Sequence, residues 1–293
     1  MNKYALNEDQ IERFNEDGFV IVRGLFEKSE LVPLQRAYSE DPTINGSTYG
    51  MVGGSGIPHP INIWTECGND IIGMIPRMNR TVNAVESLLG EACYHWHSKI
   101  TVKPPHCPAP IGWHQDYGGW YEDGVMFPRM LSMGLAIEPA TREKGCLQVV
   151  PGSQQMGRID HRANDNGQDT LSIRVDEAKR VLGLEYCELD VGDAVFFDCN
   201  TLHGSGSNET DTARLMIFCS YNAVSNEPIA GAQGNNEEGA FMNIAQSERA
   251  FRQLKRVADD ALTTNSFASA FHHTKFKMPR TDLPGTHVSA VKL

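Results

Sequence analysis

The chain has 293 residues, 40% of them hydrophobic, which is enough to bury a sizeable core in one large domain. Its formal charge of −11 argues against a phosphate backbone or an anionic membrane surface as the main partner, because both attract basic patches. The seven cysteines are scattered and form no CxxC pair of the zinc or thioredoxin type, which fits a reducing compartment.

In chain order, Asn7 and Gln10 make a capping-box start for a short helix whose apolar face is Leu6, Ile11 and Phe14, with Gly18 ending it. Phe19 to Val22 reads as a buried strand, and Ser29 as the cap of a helix carrying Leu31, Leu34 and Tyr38. Glycine and proline dominate from Gly46 to Pro60, which predicts a long loop, and 46–64 as a whole is expected to act as a lid. No Gly-Lys-Ser/Thr or GxGxxG follows a strand there, so the glycines do not cradle a phosphate. Residues 77–89 place Met78, Val82, Val85, Leu88 and Leu89 at helical spacing before Gly90.

Between about residues 93 and 221 the pattern turns to short β-rich runs: Tyr94 to Val102, Met130 to Ile137, Cys146 to Val150, Ala194 to Phe197 and Arg214 to Tyr221. Such runs separated by Gly, Pro, Asn and Asp predict a sandwich or jelly roll. A polar stretch follows to Gly239, and then Ala250, Phe251, Leu254, Val257, Ala258 and Ala261 predict a helical segment within 245–262. There is no internal repeat and no flexible linker, so 1–293 is expected to be a single, mainly β domain with flanking helices. No apolar run has the length of a signal peptide or a membrane span, and a cytoplasmic protein is expected. The final Val291-Lys292-Leu293 is only a loose match to the peroxisomal Ser-Lys-Leu, with the wrong first residue.

Candidate chemistry begins at Gly112-Trp113-His114-Gln115-Asp116. On an extended strand the imidazole of His114 and the carboxylate of Asp116 point to one face, where they can share a metal and leave a third ligand to another strand. For an HxD pair alone, a surface hydrogen bond is the usual explanation. Further on, His203 and Ser205 share a face by the same alternation, and Arg214 lies eleven residues past His203. The polar stretch 207–211 is expected to turn the chain into a hairpin that sets Ser205 opposite Arg214. A guanidinium beside a hydroxyl suits a carboxylate, although a lone arginine is ordinarily a surface ion pair.

These segments resemble the phytanoyl-CoA dioxygenase family of 2-oxoglutarate-dependent oxygenases, which includes the ectoine hydroxylases. The family pattern of HxD, a distant His-x-Ser and an arginine eleven residues later matches His114, Asp116, His203, Ser205 and Arg214. The stretch Lys144 to Ser153 is similar to the family's Asn-Gly-Cys-Leu to Pro-Gly-Ser-His, with Lys144 and Gln154 as departures. The sequence WHQDYGGWYED, starting at Trp113, leans towards the ectoine hydroxylases.

The resemblance implies a double-stranded β-helix, that is, a cupin-like jelly roll. It also implies iron(II) on His114, Asp116 and His203, and 2-oxoglutarate held by Arg214 with Ser205, Thr101 and His97. Dioxygen is the second co-substrate, succinate and CO2 are released, and a small molecule is hydroxylated or otherwise oxidised. Related halogenases replace the carboxylate with a small residue, so Asp116 speaks against chloride chemistry. Trp120 and Tyr117 are candidates to contact a substrate, expected to be polar or zwitterionic. A non-catalytic jelly roll that keeps a metal is the alternative from another class. His95-Trp96-His97 could open a cupin-type site, but no glutamate follows it, and there is neither a GxSxG nor an HExxH motif.

Overall fold

The computed structural model describes residues 4–41, 48–52, 58–159, 161–164, 167–170, 172–229, 254–264 and 275–277. Helix α1 (Glu8–Asp17) opens on the expected capping box: Asn7 Oδ1 accepts from the Gln10 amide at 2.8 Å, and Gln10 Oε1 accepts from the Asn7 amide at 3.0 Å. Gly18, at φ 78°, ends it in the left-handed conformation, and strand β1 (Phe19–Val22) follows. Helix α2 (Lys28–Glu40) begins earlier than a Ser29 cap would allow, because the Glu30 carboxylate accepts from the Glu27 amide at 2.8 Å and fixes the start there.

The stretch 46–64 is not one loop. It contains β2 (Tyr49–Val52) and β3 (Pro58–Glu66), which pair antiparallel from Tyr49 opposite Ile61 to Val52 opposite Pro58. Pro58 and Pro60 lie at the end of β3 where only β2 is its partner, since pairing with the next strand starts at Ile61. A strand with one ladder partner tolerates proline, which is why the proline signal misleads here. The glycine-rich tip, 53–57, lies outside the described residues.

Two helices follow, α3 (Ile71–Met74) and α4 (Asn79–Leu89), the second closed by Gly90 at φ 72°. Next come β4 (Cys93–Lys103), β5 (Ile111–His114), α5 (Asp116–Glu122), β6 (Met130–Ala136) and β7 (Leu147–Val149). The remaining elements are β8 (His161–Asn164), β9 (Gly167–Thr170), α6 (Ser172–Leu182), β10 (Glu185–Cys187), β11 (Ala194–Asp198), β12 (His203–Ser205), β13 (Arg214–Ala223), α7 (Ala261–Thr264) and β14 (Lys275–Lys277). Of the helix expected over 245–262, residues 245–253 lie outside the described residues and 254–260 are not helical. Val257 instead exchanges main-chain hydrogen bonds with the flank of α4, donating to Arg77 O at 2.9 Å and accepting from the Asn79 amide at 3.0 Å. No described helix is long and apolar enough to cross a membrane.

Apart from the separate β8–β9 pair, the described strands form a jelly roll of two antiparallel sheets. The larger runs β1-β11-β6-β13-β4-β3-β14, with β2 joined to β3, and the smaller runs β10-β7-β12-β5. Alternation along β13 shows how the core is divided. Leu215, Ile217, Cys219 and Tyr221 pack with Phe14, Leu34, Val82 and Val85 beneath the helices, whereas Met216 and Phe218 face Leu147, Val149 and Cys187 of the smaller sheet. Both faces are covered, so all ten residues of β13 are buried. Arg214 has the parity of Met216, which points it between the sheets.

Candidate metal centre

β12 lies antiparallel to β5 with His203 directly opposite His114, and the two rings stand 4.2 Å apart. Each imidazole is oriented by its own main chain: His114 Nδ1 donates to Gly112 O at 2.8 Å, and His203 Nδ1 donates to Thr201 O at 2.9 Å. With Nδ1 carrying the proton, Nε2 holds the lone pair a metal needs. β5 stops at His114 and Asp116 already opens α5, so the pair does not sit on one strand as expected. The intervening Gln115 is still extended (φ −111°, ψ 133°), and this one residue preserves the alternation. Asp116 Oδ1 therefore reaches 3.7 Å from His114 Nε2 and 3.8 Å from His203 Nε2, and one ligand atom from each of the three residues lies within 4.8 Å of the others.

Neighbouring side chains hold this geometry. Ser132 Oγ of β6 donates to Asp116 Oδ2 at 3.1 Å and lies 2.8 Å from Ser220 Oγ, which leaves Oδ1 for a metal. Gln115 is buried and donates to Gly157 O and Asn200 O while accepting from the Ile159 amide, which pins the start of α5. Burial and then the facing His203 push His114 down to about 4, so its imidazole is neutral and available. Burial works to raise Asp116, but His203, Lys99 and His114 outweigh it and hold the carboxyl at about 2.

The pocket beside these three residues is lined by Lys99, Thr101, Ser132, Phe197, Ser205, Arg214 and Phe218, among others. Ser205 and Arg214 are not paired across a hairpin. β12 belongs to the smaller sheet and β13 to the larger, so they face each other across the sandwich, and Lys103 is the residue opposite Arg214. Asn208 causes this: its amide group donates to Lys103 O, Pro104 O and Thr212 O, carrying the connection from one sheet to the other. Thr101 Oγ1, Ser205 Oγ and Arg214 Nε are buried without a hydrogen-bond partner among the described residues. Buried polar atoms in that state call for a ligand.

Trp120, Tyr117 and His97 are not among the described residues that line this pocket, although the charge of His97 is felt at Asp116. Trp120 and Tyr117 pack with Tyr94, Trp96 and Cys199, and the Tyr117 hydroxyl donates to Met126 O at 2.6 Å. The His97 ring meets Trp120 edge-on at 5.9 Å. Sequence reasoning passed over Lys99 and Lys103, although both share the parity of Thr101 along β4, and alternation would have placed them. It also passed over Ser132, which carries no motif.

Two neutral imidazoles and one carboxylate on one side of a cavity fit a divalent transition metal with open positions, the pattern of non-haem iron(II) oxygenases. An arginine with two unpartnered hydroxyls nearby fits a carboxylate co-substrate. Comparison with known proteins agrees. The chain is 27% identical over 266 residues to an ectoine dioxygenase of Bordetella bronchiseptica, covering 85% of this chain and 86% of the relative. It is also 27% identical over 179 residues to the L-proline trans-4-hydroxylase of Streptomyces griseoviridis, covering 55% of this chain and 66% of that protein. The fold matches EctD from S. alaskensis in its apoform with a TM-score of 0.71 at 24% identity, over 88% of this chain and 89% of that one. EctD has also been solved with bound Fe, and with 2-oxoglutarate and 5-hydroxyectoine. The model of the phytanoyl-CoA dioxygenase family matches residues 14–216, more than half of the chain. The protein belongs to the phytanoyl-CoA dioxygenase family.

Proposed function

We propose that this protein hydroxylates a small polar or zwitterionic metabolite as an iron(II)- and 2-oxoglutarate-dependent dioxygenase. The observation that carries this reading is the convergence of His114, Asp116 and His203 beside the unpartnered Thr101 and Ser205 hydroxyls and Arg214. Bound iron and 2-oxoglutarate supply the oxidising chemistry, in which O2 is spent, succinate and CO2 are released and an oxygen atom passes to the substrate.

The protein's own contribution is placement. His114 and His203 present Nε2, Asp116 presents Oδ1, and Arg214 with Ser205 and Thr101 receives the far carboxylate of the co-substrate. Phe197 and Phe218 wall the pocket and exclude water. Lys99 lies on the same wall, partly buried, and offers a positive charge to an acidic group of the substrate. That charge favours an amino acid or a similar zwitterion, as do the relatives named for ectoine and for L-proline, both small cyclic zwitterions. The expected setting is the cytoplasm, where such metabolites are found.

The test is succinate release after iron(II), 2-oxoglutarate and oxygen are supplied with a panel of amino acids and compatible solutes. Stimulation by a zwitterion supports the reading. Stimulation only by acyl thioesters would refute the substrate class, and no succinate from a protein shown to hold both iron and 2-oxoglutarate would leave a binding protein.

A further inference from the structure

Three basic side chains stand in a row that begins at Arg214 on the pocket wall and runs onto neighbouring strands. Arg214 of β13 is directly opposite Lys103 of β4. His59 of β3, two residues before the first β3–β4 pair of Ile61 with Thr101, lies near enough to Lys103 to feel its charge. All three are buried, with Lys103 0%, Arg214 2% and His59 3% exposed. Like charges directly opposite one another on a sheet face repel, and burial removes the water that would screen them.

No carboxylate relieves this repulsion among the described residues. The charged and titratable groups that act on Lys103 are Arg214 from β13, Cys107 from the β4–β5 connection and Cys146 from the turn before β7, and Lys103 in turn acts on His59 of β3. Main-chain carbonyls face the row instead. Gly145 O accepts from Arg214 Nη1 at 2.5 Å, Pro110 O faces His59, and Lys103 Nζ donates to Ala109 O at 3.3 Å and to Gly206 O. Two acceptors match the two N–H bonds of a neutral amine, with its lone pair left over.

We propose that 2-oxoglutarate binding is coupled to proton uptake at Lys103, which turns from amine to ammonium as the carboxylate docks on Arg214. The inference rests on the co-substrate reading given under Proposed function. The proton comes from solvent, forms the third N–H bond of the ammonium, and returns to solvent when the anion leaves. In the free protein, burial first and Arg214 second bring Lys103 down to about 7. Burial and then Lys103 hold His59 at about 4, so His59 stays neutral near pH 7. An added carboxylate favours the charged lysine and raises that value. Uptake is therefore absent at pH values where Lys103 is already charged and grows as the pH rises past the point where the free lysine loses its proton.

The experiment is calorimetric titration of anaerobic, iron(II)-loaded protein with 2-oxoglutarate in phosphate and in Tris, buffers that differ in ionisation heat. In the wild type the heats should differ between buffers, more at pH 8 than at pH 7. Lys103→Met and Lys103→Arg should each bind with equal heats in both, the first because it cannot take a proton and the second because it already carries one. His59→Gln should keep the buffer dependence. Buffer-independent heat in the wild type overturns the proposal without requiring any variant to fold, and so does wild-type uptake in Lys103→Met. Failure of the wild type to bind 2-oxoglutarate at all would instead sink the co-substrate reading beneath it.

Discussion

Ser132 acts at the smallest scale, through a single proton. Its hydroxyl fixes Asp116 Oδ2 and so decides which carboxylate oxygen faces the histidines. Ser132→Ala should leave the fold intact and weaken iron(II) binding about 10-fold, measured by competition with a chelator, because partners of metal ligands have effects of that order. Arg214→Ala should retain iron but lower 2-oxoglutarate affinity about 100-fold or more, since it removes charge-assisted hydrogen bonds of about 1.5–3 kcal/mol each. That His114, Asp116, His203 and Arg214 come together was legible in the sequence because they match the pattern of the family it resembles, a point that alternation and spacing alone left open. Ser132 was not, because its place depends on β6 and β13 setting it opposite Ser220, and register between distant strands leaves no local trace.

Turns and helix contacts set the next scale. Gly145 sits at φ 67°, and a Cβ there would stand 2.4 Å from the carbonyl oxygens of Gly206 and Ser207, while its own carbonyl accepts from Arg214. Gly145→Ala must shift this turn, so it should raise the 2-oxoglutarate Kd while iron binding is retained. Beneath the larger sheet, buried Arg80 of α4 meets Glu30 of α2 through two hydrogen bonds of 2.8 Å and also holds Asp259. Glu30→Ala leaves that guanidinium without its main partner, and a loss of about 3–5 kcal/mol in denaturant unfolding is expected. Local signals did predict α1, β1 and α4 with their glycine stops. They failed at the 46–64 pair and the 254–260 segment, where β2–β3 and β3–β4 pairing in the first and main-chain bonds to the flank of α4 in the second override glycine content and helical spacing.

Over the whole molecule, the two-sheet architecture was legible as a class because short β-rich runs between turn residues have few other ways to bury both faces. The division of strands between the sheets was not. Local hairpin logic joined His203-Gly204-Ser205 to the strand of Arg214, whereas the strand pairings put them in different sheets, with Asn208 bonded to residues 103, 104 and 212 where the chain crosses the sandwich. That crossing brings β5 and β12 of one sheet against Thr101 and Arg214 of the other, so the sandwich itself assembles the pocket. The most direct test is the iron content of wild type, His203→Ala and Arg214→Ala after anaerobic loading with iron(II) and removal of excess metal. Roughly one iron per chain is expected in wild type and Arg214→Ala, with loss in His203→Ala. Wild-type iron in His203→Ala, or equal loss in both variants, would contradict the account.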